Sequence, residues 1–388
     1  MKKDRDVWYI GLLSFFGGIS QDMFAPVLPI YLTTILGFDK TLVGIAEGLV
    51  TAGWNVFRVV AGYLSDRLKR QKPLIFIGYF LSMLARPLLA AFSAVAPVFT
   101  LRFLDGAGKG LKDPPKDVLI AGTSPEAVRG RSFGVARMLD TLGSVAGPLL
   151  LALLLYLFRA SSSVYHIILI VSAVPLFVTL SILTARVREI PRSVVRAQSV
   201  HDQRRPLPLS FYVFLAVVVV FTLGNSSDAF LILRARNLGT TLIEVPLVIA
   251  LFNLIYALGA VPFGSLSDRI GRIPTLAIGW LAYALTYLGF ALAAGAFIVW
   301  PLYILYGIYY AMSEGVARAF LADIVEFGHR GRAFGIYGMT VGLTTLPASF
   351  LAGFLWDRYG PRVPFFFGAG LAALAVLCLV LTSKFRKR

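Results

Sequence analysis

Cysteine is almost missing from this chain. Cys378 is the only one in 388 residues, so no intramolecular disulfide can form. Histidine is nearly as scarce: His166, His201 and His329 are scattered, and no metal-ligand spacing can be assembled from them, so no metal site is expected. Charged residues make up only 15% of the sequence, against roughly a quarter in a soluble domain. That is too little polarity to cover a water-facing globule of this size. No nucleotide-binding loop and no Gly-x-Ser-x-Gly is present, which argues against an enzyme and against an ATP-driven pump. The period-2 alternation of a barrel strand is also missing.

What is present is apolar surface in long blocks. Hydrophobic residues account for 57% of the chain. A helix needs about 20 apolar residues to cross the hydrocarbon core of a bilayer. Residues 164–185, 245–267, 333–356 and 363–383 contain no formal charge, and 273–313 is an uncharged run long enough for two spans with a turn near Gly295. Together with the more interrupted segments, twelve spans are expected, near 7–36, 41–65, 73–94, 97–115, 131–158, 164–186, 210–235, 242–266, 273–294, 298–322, 332–356 and 362–383. The first apolar stretch continues past Asp22 without a cleavage site, so it reads as a span and not a signal peptide. Pro26, Pro29, Pro148, Pro175 and Pro347 fall inside spans, where membrane helices tolerate them.

The net charge of +17 could suggest a nucleic-acid partner, but the basic residues sit in short bursts between apolar runs and form no basic stripe. With the N-terminus inside, 25 Lys and Arg fall on the cytoplasmic side and five on the other. The positive-inside rule then places both termini in the cytoplasm of a cell whose inner membrane holds the protein.

The chain repeats itself. Gly62-Tyr-Leu-Ser-Asp66-Arg67-Leu-Lys69-Arg70 follows span 2, and Gly264-Ser-Leu-Ser-Asp268-Arg269-Ile-Gly271-Arg272 follows span 8. Arg129-Gly-Arg-Ser-Phe-Gly134 recurs as Arg330-Gly-Arg-Ala-Phe-Gly335. Gly18-Ile-Ser-Gln-Asp22 in span 1 matches Gly224-Asn-Ser-Ser-Asp228 in span 7, with a four-residue gap. The expected organisation is an all-α membrane protein: a six-helix bundle over 1–186, a polar basic linker over 187–209 and a second six-helix bundle over 210–388. Two such halves with a site at their interface form the architecture of a secondary transporter.

Twelve spans, the 6+6 repeat and the doubled Gly-x-Leu-x-Asp-Arg loop resemble the major facilitator superfamily along essentially the whole chain. In that resemblance Gly62, Asp66, Arg67, Arg70, Gly264, Asp268, Arg269 and Arg272 are gating-loop residues. The first copy departs from the pattern at Lys69, where the family has Gly. Asp66 is expected to face the N-terminus of span 11, where the helix dipole favours an anion. Arg102-x-x-Asp105-Gly106-x-Gly108 in span 4 is similar to the family's proton-transfer motif, and Gly143-x-x-x-Gly147-Pro148 in span 5 to its antiporter motif. Gly143 and Gly147 also have the spacing that lets membrane helices pack closely. The trailing glycines of the antiporter motif are replaced by Leu151 and Ala152, which leaves export and import both open.

Ionisable residues inside spans are functional candidates, because burying them uncompensated is costly. Arg58 and Arg86 lie in spans 2 and 3, Arg234 in span 7, and Arg86 reads as structural. Arg102, Asp105 and Lys109 share one helix face, and Arg137–Asp140 and Glu314–Arg318 have the spacing of self-satisfied pairs. Asp22 and Asp228 differ: neither has a basic residue within a turn of its own helix, and they occupy matched repeat positions. A carboxyl in a low-dielectric cavity can exchange a proton near neutral pH. Asp22 is therefore the leading proton-coupling acid, with Asp228, Asp105 and Arg102 completing the network. Gln21, Glu47, Asn55, Lys109, Asn225, Asn253, Glu314 and Arg318 are candidate cavity residues. The expected function is proton-coupled efflux of a small molecule by a monomer that needs a proton gradient and no cofactor. The alternatives are a proton-coupled uptake symporter for a small metabolite or metal chelate and, last, a non-transporting receptor or scaffold.

Overall fold

The computed structural model describes residues 2–68, 70–123, 129–158, 162–189, 206–326 and 329–385. Fifteen α-helices and no strand occur among them. They are α1 (Lys2–Phe24), α2 (Leu28–Thr34), α3 (Lys40–Leu68), α4 (Lys72–Ala91), α5 (Val95–Thr123), α6 (Arg129–Leu157), α7 (Ser162–Val171) and α8 (Val174–Ala185). The remainder are α9 (Leu209–Gly224), α10 (Ala229–Asn237), α11 (Glu244–Ile270), α12 (Arg272–Leu292), α13 (Val299–Ile324), α14 (Arg330–Tyr359) and α15 (Val363–Phe385). All twelve expected spans are helical, and three are built from two helices each: α1 with α2, α7 with α8 and α9 with α10. Proline explains two of the breaks, because Pro29 and Pro175 sit in the first turns of α2 and α8, where a missing N–H costs nothing. The third break falls at Asn225–Asp228, which contains no proline.

Nine helical segments among the described residues are long and apolar enough to cross a bilayer by composition alone. Spans 1, 2 and 4 fall short because polar and charged residues interrupt them: Gln21 and Asp22, Glu47 and Arg58, and Arg102 to Lys116. Span 4 also runs further than expected. α5 continues through Pro114 and Pro115 to Thr123. Helices of 27 to 30 residues, such as α3, α5, α6, α11 and α14, reach about 40–45 Å at 1.5 Å per residue, beyond the roughly 30 Å hydrocarbon core. The outward faces carry apolar side chains such as Leu209, Leu258 and Val261, which suits lipid as solvent.

Two compact units make up the chain: Met1–Gly37 with Leu49–Gln198, and Phe38–Gly48 with Ser199–Arg388. The linker expected over 187–209 lies largely outside the described residues. In the first unit α1 packs on α6 and α8, and α4 on α5 and α8. Its core joins Ile10 and Leu13 of α1, Ile75 and Tyr79 of α4, Leu119 of α5 and Leu176, Leu180 and Leu183 of α8. In the second unit α12 packs on α13 and α15, α11 on α13, and α9 on α14 and α15. The first turn of α3 belongs to this unit, where the Asp357 carboxylate accepts the backbone N–H of Lys40 (3.1 Å) and Thr41 (2.8 Å). That is an N-terminal cap supplied from the end of α14.

Candidate functional site

In the first unit the ionisable residues of three helices converge. Asp105 is completely buried on α5 and faces three cations: Arg102 at 3.3 Å, Lys109 at 3.5 Å and Arg86 at 3.9 Å. The helical spacing of 102, 105 and 109 explains the first two. Arg86 comes from α4. Its guanidinium donates to the Oε1 of Gln21 at 3.0 Å and to the Ser20 hydroxyl, and it lies 5.0 Å from the Phe24 ring centroid. Arg102 lies over the same ring at 5.5 Å. The side chain of Arg86, which reads as structural in the sequence, bridges α1 and α5. Gln21, a candidate cavity residue, accepts a bond from Arg86. A long apolar helix with one arginine was the only sequence signal for this role.

Asp22 lies half-buried on α1, three residues before the helix break that precedes α2. Ser144 of α6 hydrogen-bonds its carboxylate, and Lys109, Arg86 and Asp140 act on it through space. So the matched acid with no basic neighbour on its own helix acquires two from α4 and α5. The antiporter-like glycines make this possible. A Cβ on Gly143 would collide with the Phe15 carbonyl, and one on Gly147 would lie 2.6 Å from the Ile19 carbonyl. The close approach of α6 to α1 brings Ser144 to Asp22, while Pro148 follows within the same helix.

Other charges of this unit are satisfied locally. Arg137 and Asp140 pair at 3.2 Å in an exposed i, i+3 contact. Asn55, a candidate cavity residue, donates to the Thr51 carbonyl of its own helix at 2.8 Å. A pairing not anticipated from sequence joins Asp113 to Lys112 (3.1 Å) and to the indole N–H of Trp54 (3.0 Å).

The second unit handles its matched acid differently. Asp228 follows the α9–α10 break and is exposed. The hydroxyl of Tyr306 donates to it at 2.5 Å, Tyr310 also hydrogen-bonds it, and Glu47 acts on it through space. Among the described residues, no basic side chain appears with the groups acting on Asp228. The break itself is held by side chains. Tyr283 donates to the Gly224 carbonyl (2.9 Å), Asn225 to the Tyr309 hydroxyl (3.1 Å), and Ser349 accepts the Ser227 N–H (3.1 Å). Irregular backbone at membrane depth requires such replacement partners.

Tyr283, Tyr287, Tyr303, Tyr306, Tyr309 and Tyr310 form a connected aromatic group on α12 and α13. Sequence reasoning missed it, although Tyr303, Tyr306 and Tyr310 stand at i, i+3 and i+7. Glu314 pairs with Arg318 at 2.9 Å and accepts the Tyr256 hydroxyl at 2.6 Å. Asn253 is half-buried on α11. Arg234 donates to the carbonyls of Phe290 (3.0 Å) and Ala293 (3.1 Å), which closes the C-terminal end of α12.

The two gating loops also differ. In the second copy Arg272 pairs with Asp268 at 2.6 Å and with Asp323 of α13 at 3.1 Å, and Gly271 has φ +97°. Gly264 and Arg269 lie on the last turns of α11. A left-handed φ favours glycine, and the matching residue of the first copy is Lys69, outside the described residues. The Asp66 side chain also lies outside them, so the expected contact of Asp66 has no structural counterpart to report. Gly62 and Arg67 are helical within α3, and Arg70 precedes α4. There Glu189 accepts the N–H of Gln71 (2.7 Å) and Lys72 (3.0 Å).

A duplicated set of membrane-spanning helices with ionisable groups inside both repeats defines a class, the multi-pass secondary transporters. The Major Facilitator Superfamily model matches residues 10–232 and 209–388, and the chain belongs to that superfamily. It is 33% identical over 382 residues to an uncharacterised MFS-type transporter of Methanocaldococcus jannaschii, covering 97% of this chain and 94% of that relative. A multidrug resistance protein, MdtH of Salmonella arizonae, is 33% identical over 215 residues, 51% of this chain and 50% of its own length. The crystal structure of the nucleoside transporter NupG, in its D323A mutant form, superposes with a TM-score of 0.81 at 15% identity, covering 97% of this chain and 99% of that one. The fold is therefore the twelve-helix major facilitator fold, and the protein moves a small molecule across a membrane by alternating access.

Proposed function

We propose that this transporter exports a small molecule in exchange for protons, with Asp22 as the group that binds and releases the proton. One observation carries the reading. Asp22 is a partly accessible carboxyl that shares the cations Arg86 and Lys109 with the buried Asp105. Ionised, Asp22 competes for those cations; protonated, it releases them to Asp105. Interactions among charges are strong where the dielectric is low, so one proton changes the balance among α1, α4 and α5. Arg102 holds Asp105 in either state. The multidrug-resistance relative is in keeping with export.

In this reading both termini are cytoplasmic in a cell membrane, as the distribution of basic residues supports. The protein acts without a cofactor and draws its energy from the proton gradient. The Asp66 and Asp268 loops serve as gates on the cytoplasmic side.

The test is transport in proteoliposomes with an imposed pH gradient across a panel of compounds, read by substrate-induced pH change. Asp22→Asn is expected to lose accumulation against a gradient and to retain downhill exchange. Concentrative transport by Asp22→Asn at the wild-type rate would sink the proposal. Proton movement in the same direction as substrate would identify an importer instead.

A further inference from the structure

We infer that the second unit contains a binding site for an organic cation, formed by Asp228 and the partly exposed rings of Tyr310 and Phe252. The inference takes its purpose from the transport reading, but its evidence lies wholly within one unit.

Five observations meet at this place. Asp228 is exposed although it stands inside a membrane span, so a ligand can reach its carboxylate. Its side chain does not cap the helix it precedes, and among the described residues the phenols of Tyr306 and Tyr310 donate to it. The charge acting on it comes from Glu47 and has the same sign, with no basic side chain among the described residues to offset it. Around Tyr310, the rings of Tyr309, Phe252, Tyr306 and Tyr256 lie at 5.0, 5.1, 5.2 and 5.9 Å, mostly edge to face. The hydroxyl of Tyr303, buried within the same aromatic group, has no hydrogen-bond partner among the described residues.

The chemistry that fits this arrangement is a cation. An ionised carboxylate at membrane depth without a counter-charge is costly, and a bound cation removes that cost. Tyr306 is fully buried and supplies only its hydroxyl, whereas Tyr310 and Phe252 are partly exposed, and the negative faces of such rings attract onium groups. An anionic ligand would instead meet Asp228 and Glu47. The aromatic lining selects a lipophilic amine or quaternary ion over a small hydrated one.

Tetraphenylphosphonium and tetraphenylborate have the same shape and opposite charge, which makes them the probe pair. The full-length protein in detergent is titrated with each by calorimetry. Tetraphenylphosphonium is expected to bind saturably and at least tenfold more tightly than the borate. Asp228→Asn should weaken it at least tenfold. Tyr310→Ala should weaken it several-fold, and Tyr310→Phe, which keeps the ring face, by less than threefold.

Equal or tighter binding of the borate, or unchanged phosphonium affinity in Asp228→Asn, would overturn the inference. If Asp228→Asn fails to fold, the charge preference of the wild type and the affinity of Asp228→Glu decide the question. Proton-linked transport of an anion without phosphonium binding would defeat this site and leave the transport reading intact. Phosphonium binding without proton-linked transport would do the reverse.

Discussion

Asp22 and Asp228 stand at matched places in the two repeats, each beside a helix break, yet their surroundings are opposite in kind. In the first unit the acids Asp22 and Asp105 are held among Arg86, Arg102 and Lys109. In the second, Asp228 has tyrosine hydroxyls and another carboxylate for neighbours. Duplication has preserved where the acid sits and not what surrounds it. The lesson concerns cost: a buried charge matched by opposite charges is part of a network whose members depend on one another, whereas an accessible carboxylate held by neutral donors can change its partner.

The sharpest way to break the comparison is to remove one interacting group in each unit. Asp105→Asn leaves three cations facing a neutral amide. Removing one partner of a buried pair costs about 3–5 kcal/mol, so this variant should show a large fall in thermal stability in detergent. A wild-type melting temperature would mean that the cluster is not a mutually dependent network. Removing Tyr306's hydroxyl in Tyr306→Phe should have a smaller effect. A hydrogen bond to a charged group contributes about 1.5–3 kcal/mol, and Tyr310 remains to share the load. A melting shift as large as that of Asp105→Asn would erase the contrast between the units. Smallest is Arg318→Ala. Its pair with Glu314 is partly exposed, and pairs of that kind contribute about 0–1 kcal/mol. Circular dichroism should barely distinguish it from wild type; a clear loss would show that the pair anchors α13.

Much of this could be read along the chain. Uncharged blocks of helical length marked most spans, and the recurring Asp-Arg loops marked the repeat and the family. Local pairs such as Arg137–Asp140 followed from spacing alone. Other features could not be read this way. The partners of Arg86 could not be named, because Gln21 and Asp105 lie on two other helices. Nor does spacing say which way the Asn55 amide turns. Asp113 and Trp54 are far apart in sequence and meet only in the folded bundle.

The sequence by itself determined that the chain is apolar enough to live in a bilayer, that it is folded twice over, and which residue types sit at membrane depth. Only the tertiary structure decided which charges share a network and which acid stands among tyrosines. The physical reason is that lipid and protein interior are both apolar. The pattern of hydrophobic residues therefore marks a span clearly but marks its inward face weakly. The face that turns inward, and so the partner each buried charge finds, is set by close packing such as that of Gly143 and Gly147 against α1, where the missing side chains bring Ser144 to Asp22.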